Sequence, residues 1–319
     1  MPQQLPYCKY PKANDSAKHG LQPLPASLPF INMEAAQLFR STAYKTTTLD
    51  NFNHQQVLQL AKVIADSFVL NESMTRHLNP PGNYPPALME WQHRDAFGTE
   101  HFGEWSKSNL LYWLIRLLFL TDPYSAHDNI LTNETLLQLS LAVCNNEGEI
   151  IGGALNIQLH EKDANNKMRT GDLFLDTILY NSASMPIIEL LELQEEISLQ
   201  ALSNTYPQFK KALSLGKVGE LYMIARSPLL QSVDTFELVA ATVEHFKQLD
   251  YEFIITAAAN NWTGAAFELL GATRVHFSPY RNKLMVTASV EPVADKISSP
   301  DGFISAKDSG CMLYVGRLY

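Results

Sequence analysis

Cysteine is scarce in this chain, and what there is does not cluster. Cys8, Cys144 and Cys311 are its three cysteines. No two stand at C-x-x-C spacing, which argues against a zinc site and a disulfide framework and reads as reduced thiols in a cytoplasmic protein. Basic runs are missing as well: 24 Lys+Arg stand against 33 Asp+Glu, for a formal charge of −9. Phosphate-backbone binding needs clustered cations, so no nucleic-acid partner is expected. Long apolar runs are also absent. The most apolar segment, Leu110 to Leu120, is about half the ~20 residues a membrane span needs and carries Arg116 in its middle. It reads as a buried helix, and no membrane partner is expected. No charged lead with an apolar run marks a secretory signal, and Pro2, Pro6, Pro11, Pro23, Pro25 and Pro29 break up the N-terminal region. His93, His101 and His127 lack the i, i+4 repeat of a helical metal pair, so no metal is expected.

What is present suffices for a sizeable core. Of 319 residues, 46% are hydrophobic and 18% charged, as in globular proteins. Residues 1–49 read as a proline-rich N-terminal arm, partly disordered, that lies on the domain or trails from it. A helix follows from Gln55 to about Val69, capped by Asp50 or Asn53, with Val57, Leu60, Ala61, Ile64 and Phe68 on one face. Asn79 to Pro86 stops any helix. Residues 87–120 look helical and rich in aromatic side chains. Leu136 to Val143 and Ile150 to Leu159 read as strands joined by a hairpin turn at residues 145–149, with a bulge or a close backbone approach expected at Gly152-Gly153. A helical insertion spans about 160–215, with helices expected near residues 186–202 and 206–213. A further strand is expected over Lys283 to Val290. In the tail, 291–319, residues 311–315 have the pattern of an added edge strand.

The most regular stretch runs from Val218 to Phe277. It reads strand, loop, long amphipathic helix, strand, short helix, strand, with few residues to spare. That alternation implies a βαβ crossover and a parallel strand pair within one sheet. In such units ligands sit at the strand-to-helix turn, where helix N–H groups point outward. The whole order predicts an α/β (α+β) fold: a mixed, mostly antiparallel sheet with a central parallel crossover and helices on both faces.

Three local patterns make this order resemble the GNAT superfamily of acyl-CoA-dependent N-acyltransferases. Ser227-Pro228-Leu229-Leu230-Gln231 is similar to the family's strand end, with Pro followed three residues later by Gln or Arg. Asn260 stands where the family's next helix opens. Phe267-Glu268-Leu269-Leu270-Gly271 resembles the aromatic-x-x-Leu-Gly ending of that helix. The resemblance covers residues 50–290. Within it, Phe68-Val69-Leu70-Asn71-Glu72-Ser73-Met74 is similar to the Phe-x-x-Asp-Glu-Pro-Leu segment of the arylalkylamine N-acetyltransferase branch.

The resemblance implies acetyl-CoA or another acyl-CoA as donor and a small-molecule primary amine as acceptor. It makes Glu72 the general base. Donor contacts would come from Ile224, Ala225 and Arg226, from Gln231, Ser232, Val233, Asp234, Thr235 and Phe236 in the pyrophosphate loop, and from Asn260 and Phe267. A homodimer is compatible with it.

The loop departs from the family pattern of Gln/Arg-x-x-Gly-x-Gly/Ala, because Asp234 and Phe236 replace its two small residues. Close backbone approach to a diphosphate favours glycine there, and a carboxylate at ~5 Å would cost on the order of 3 kcal/mol at an effective dielectric of ~20. Asp234-Thr235-Phe236-Glu237 can instead be a capping box with Asp234 as N-cap, leaving fewer N–H groups for a phosphate. Phe267 occupies the place of the tyrosine that protonates the departing thiolate in many members. Tyr222 and Tyr280 are candidates to replace it, with an ordinary packed tyrosine as the alternative reading of each. Two functions are therefore open: an acyl-CoA-dependent N-acyltransferase, or a GNAT-fold binding or interaction protein that has lost CoA. Acyl transfer from a carrier protein is a weaker third reading.

Overall fold

A computed structural model describes residues 21–38, 45–71, 112, 115, 119, 134–159, 197–226, 232–258, 261–279 and 310–319. Seven strands form one sheet in the order β1-β2-β3-β4-β5-β7-β6. They are β1 (Lys45–Thr48), β2 (Leu141–Cys144), β3 (Ile150–Leu159), β4 (Val218–Arg226), β5 (Phe253–Ala258), β6 (Thr273–Pro279) and β7 (Gly310–Arg317). Only β4 and β5 pair in parallel; every other neighbour is antiparallel. The helices are α1 (Met33–Leu38), α2 (His54–Asn71), α3 (Glu134–Leu139), α4 (Pro207–Ser214), α5 (Ser232–Gln248) and α6 (Asn261–Leu269), with a further helical stretch over residues 197–205.

Helix α2 starts where its own side chains satisfy its first turn. The Asn53 side chain accepts from the Gln56 N–H at 2.9 Å, and the Gln56 side chain accepts from the Asn53 N–H at 3.0 Å. That reciprocal pair is a capping box. The helix then buries Val57, Leu60, Ala61, Ile64 and Phe68, the five residues whose spacing marks its apolar face. They pack with Tyr112, Ile115 and Phe119 and with Met223 and Ala225 of β4. The opposite face of the sheet carries α5 and α6, whose Val239, Val243, Phe246 and Phe267 join Leu221 and Ile254. Contact there is close: a Cβ on Gly219 would lie 2.2 Å from the Phe246 ring.

Two expectations change. The segment read as a strand from Leu136 to Val143 is divided, with α3 first and the strand beginning at Leu141. An apolar run of this length suits either element, and the Ser140 N–H, donating to the Leu136 carbonyl at 3.0 Å, closes the helical part. The C-terminal strand forms, but inside the sheet, between β5 and β6, so it is no edge strand. Leu313 and Val315 are buried accordingly. Part of the N-terminal arm lies on the domain, one of the two dispositions expected for it. Gln22 N–H donates to the Val275 carbonyl at 2.8 Å, Ile31 N–H to the Arg317 carbonyl at 2.8 Å, and the Tyr206 hydroxyl to the Pro25 carbonyl at 2.5 Å. Leu28 and Ile31 of the arm are buried.

The turn at residues 145–149 is a hairpin, with Gly148 at φ 83° and the Asn145 side chain accepting from the Glu147 and Glu149 N–H groups. The β2–β3 register slips beside Gly152, where a bulge is expected. The strand expected over Lys283 to Val290, Tyr280 and most of the insertion lie outside the described residues.

Candidate functional site

The parallel pair parts in the middle of the sheet. β4 and β5 are in register from Val218↔Phe253 to Leu221↔Thr256, and there the pairing ends. From that point β4 follows β3, through Met223↔Leu155 to Arg226↔Gly152, while β5 follows β7, through Ala257↔Leu313 and Ala258↔Met312. The cause is local. Between Leu221↔Asn156 and Met223↔Leu155 the register with β3 slips by one residue, which makes Tyr222 the extra residue of a bulge. A bulge bends its strand and sharpens the local twist, which turns β4 away from its parallel neighbour. The buried Thr256 hydroxyl donates to the Leu221 carbonyl at 2.9 Å and closes the apex of the cleft. Because the bulge reverses side-chain alternation, Met223 and Ala225 face α2 while Ile224 faces α5.

Both helices that follow these strands begin at the open side of this cleft. Divergence of adjacent parallel strands at their carboxyl ends, flanked by helix N-termini, is the general setting for ligands in parallel sheets. Helix α5 begins at Ser232, so Asp234 lies inside its first turn. That overturns the capping-box reading, in which Asp234 precedes the helix. The backbone N–H groups of Ser232, Val233 and Asp234 then belong to the first turn, where no intrahelical acceptor exists. Thr235 is buried, and Phe236 is half-buried against the α5–α6 core, so its ring is spent on packing.

The remaining candidates divide in two. Ile224, Ala225 and Arg226 all lie on the part of β4 beyond the split. Phe267 is fully buried on α6, 6.1 Å from the Tyr314 ring. Glu72, Gln231 and Asn260 fall outside the described residues, as do Ser227 to Leu230. Behind Phe267, the Tyr314 hydroxyl donates to Glu268 Oε1 at 2.7 Å, and Arg274 Nε donates to the same oxygen at 2.9 Å. Burial first, then the bond to Glu268, holds the Tyr314 phenol well above its ordinary range. In this structure the phenol proton is held by Glu268. Tyr222, half-buried at the bulge, sits at the cleft.

One buried group escapes sequence reasoning. Glu220 lies on β4, two residues before the bulge, and is 5% exposed. Its signal is a carboxylate inside VGELYMIA, an otherwise apolar central strand, where an ionised side chain is costly. Among the described residues no group of three or more His, Cys, Asp or Glu could hold a metal ion. No helix there is long and apolar enough to cross a membrane.

No protein-family model matches the sequence, and no curated protein does. Solved structures do match in three dimensions. The C-terminal condensation domain of Ebony, in complex with beta-alanyl-dopamine, aligns with a TM-score of 0.50 over 86% of this chain and 98% of that one, at 12% identity. Arylalkylamine N-acetyltransferase 2 from Aedes aegypti gives 0.47 over 86% of this chain and 99% of that one, at 14% identity. The Drosophila melanogaster polyamine N-acetyltransferase gives 0.46 over 86% and 100%, at 10% identity. The mostly antiparallel seven-stranded sheet, with β4 and β5 parallel and helices packed on it, agrees with this likeness. The chain has the GNAT fold.

Proposed function

We propose that this protein is an N-acyltransferase that moves an acetyl or other acyl group from acyl-CoA to a primary amine of a small molecule. The observation that carries the reading is the cleft where β4 leaves β5 at Leu221, with the first turn of α5 beside it. An extended thioester arm fits between two diverging strands, because each offers main-chain groups that no longer serve their parallel pairing. The N–H groups from Ile224 to Arg226 would hold the thioester oxygen, and those of Ser232 to Asp234 would face the diphosphate. Asp234 opposes that second contact, and Arg226 or Arg281 would offset it by binding phosphate directly.

The amine must lose a proton before its nitrogen can attack, since an ammonium has no lone pair. Glu72 would take that proton, directly or through water. Attack on the thioester carbonyl forms the C–N bond, the C–S bond breaks, and the thiolate leaves with a proton from solvent or from Tyr222. The many aromatic residues between Trp91 and Phe119 favour an apolar or aromatic acceptor. Of the solved structures that align with this chain, one holds beta-alanyl-dopamine and others are named for arylalkylamines and polyamines, which supports a small amine as acceptor.

The test is release of free CoA thiol from acetyl-CoA in the presence of arylalkylamines and polyamines. Amine-dependent release is expected. Its absence across both classes, in folded protein, would remove the reading.

A further inference from the structure

The end of the sheet opposite the cleft carries a surface that acyl transfer does not use. Five large apolar side chains are exposed among the described residues: Phe30, Leu215, Leu249, Leu269 and Tyr319. Leu215 precedes β4, Leu249 precedes β5, Leu269 precedes β6, Tyr319 follows β7, and Phe30 bridges to Arg317. All five therefore lie at one pole.

A chain of contacts joins them. The carbonyl of Lys217, two residues past Leu215, accepts from the Glu252 N–H at 2.8 Å, and Lys217 Nζ pairs with Asp250, next to Leu249, at 2.9 Å. The Tyr319 hydroxyl donates to the Lys247 carbonyl at 2.5 Å, and the Arg317 guanidinium lies 4.5 Å over the Phe30 ring. The Asn32 N–H donates to the carbonyl of Leu270, beside Leu269, at 2.8 Å. Single exposed apolar residues need no explanation, whereas five gathered at one end do.

The charge at this pole is reversed relative to the chain. Lys210, Lys211, Lys217, Lys247, Arg274 and Arg317 are six basic side chains, against four acidic ones, Glu34, Asp250, Glu252 and Glu268, in a protein of net charge −9. The acidic remainder would turn this end toward any negatively charged surface. Because the apolar side chains come from five separate turns of chain, they suit a broad surface better than a single inserted helix or strand. A symmetric second copy would set a net positive pole against a net positive pole, which disfavours self-association here.

We propose that this pole is a peripheral docking site for an anionic lipid surface. The lysines and arginines would meet the headgroups, while Phe30, Leu215, Leu269 and Tyr319 enter the interface. The inference does not rest on the acyl-transfer reading.

Vesicle co-sedimentation tests it, comparing phosphatidylserine-containing vesicles with pure phosphatidylcholine at two salt concentrations. Binding to the anionic vesicles alone is expected, weakened by salt. Reversal of two charges in a Lys210→Glu/Lys211→Glu variant should weaken it at least about tenfold. Phe30→Ser/Leu269→Ser should also weaken it, with unchanged melting temperature, since both side chains are exposed. Failure of the folded wild-type protein to bind anionic vesicles overturns the proposal. So does sedimentation as a dimer that Phe30→Ser/Leu269→Ser dissociates, or binding to an acidic polypeptide without binding to vesicles.

Discussion

At the scale of single residues, the reaction reading makes Glu72 and Asp234 opposites. Glu72→Gln keeps shape and removes basicity, so turnover should fall by about 10²-fold or more with little change in CoA affinity. Unchanged turnover would clear it of the base role. Asp234 lies in the first turn of α5, where its carboxylate would repel a bound diphosphate. Asp234→Ala should tighten CoA binding at least about tenfold by calorimetry, less at high salt.

Buried phenols give a pH dependence of stability. Burial pushes the Tyr251 hydroxyl up to about 12 from 10.0, beside the Phe246 ring at 4.9 Å. A raised folded-state pKa means the folded protein holds its proton longer than the unfolded chain. The contribution is therefore complete below pH 10 and is lost as pH rises toward about 12. Urea midpoints taken between those values should fall more steeply for wild type than for Tyr251→Phe.

At the scale of elements, the three helices that feed β4, β5 and β6 end alike. Lys217, Tyr251 and Ala272 donate to carbonyls five residues back, with Gly216, Asp250 and Gly271 at positive φ. Asp250, at φ 63°, is the one among them with a side chain. Asp250→Gly should therefore stabilise the protein by about 0.5–1 kcal/mol in urea unfolding. Its exposed pair with Lys217 is worth too little to reverse the sign.

Elements were legible where period and punctuation agreed. The 3.6-residue repeat of α2, its Asn53 cap, and the strand–helix–strand spacing after Val218 all carry local signals that tertiary contact only reinforces. Leu136 to Val143 misleads because leucine serves helix and strand alike, and the break at Ser140 carries no Gly or Pro. The place of β7 is a matter of long-range pairing, which no local pattern encodes. The split of β4 from β5 was equally hidden, since the bulge at Tyr222 is set by register with β3 and not by any glycine in β4 near it.

On the scale of the molecule, the β4–α5–β5 crossover lies between two ends for which different tasks are proposed. The C-terminal strand belongs to the core that supports both, with Tyr314 tied to Glu268 and the missing side chain of Gly316 filled by Ile31. Removing residues 310–319 would take out an interior strand and expose β5 and β6 edges. Such a truncation should fail to unfold cooperatively by circular dichroism, whereas loss of an edge strand would leave a transition. The pole at Phe30 and Leu269 was unreadable in sequence for the same long-range reason: its residues are single apolar positions scattered along the chain, and only the fold gathers them.

The central claim is that the cleft between β4 and β5 receives an acyl-CoA despite Asp234. Thermal denaturation with and without acetyl-CoA, read beside calorimetry, tests this most directly. At about 100 times the dissociation constant, bound ligand should add ~2.7 kcal/mol of stability and raise the melting temperature. No shift and no heat at millimolar acetyl-CoA would contradict the account.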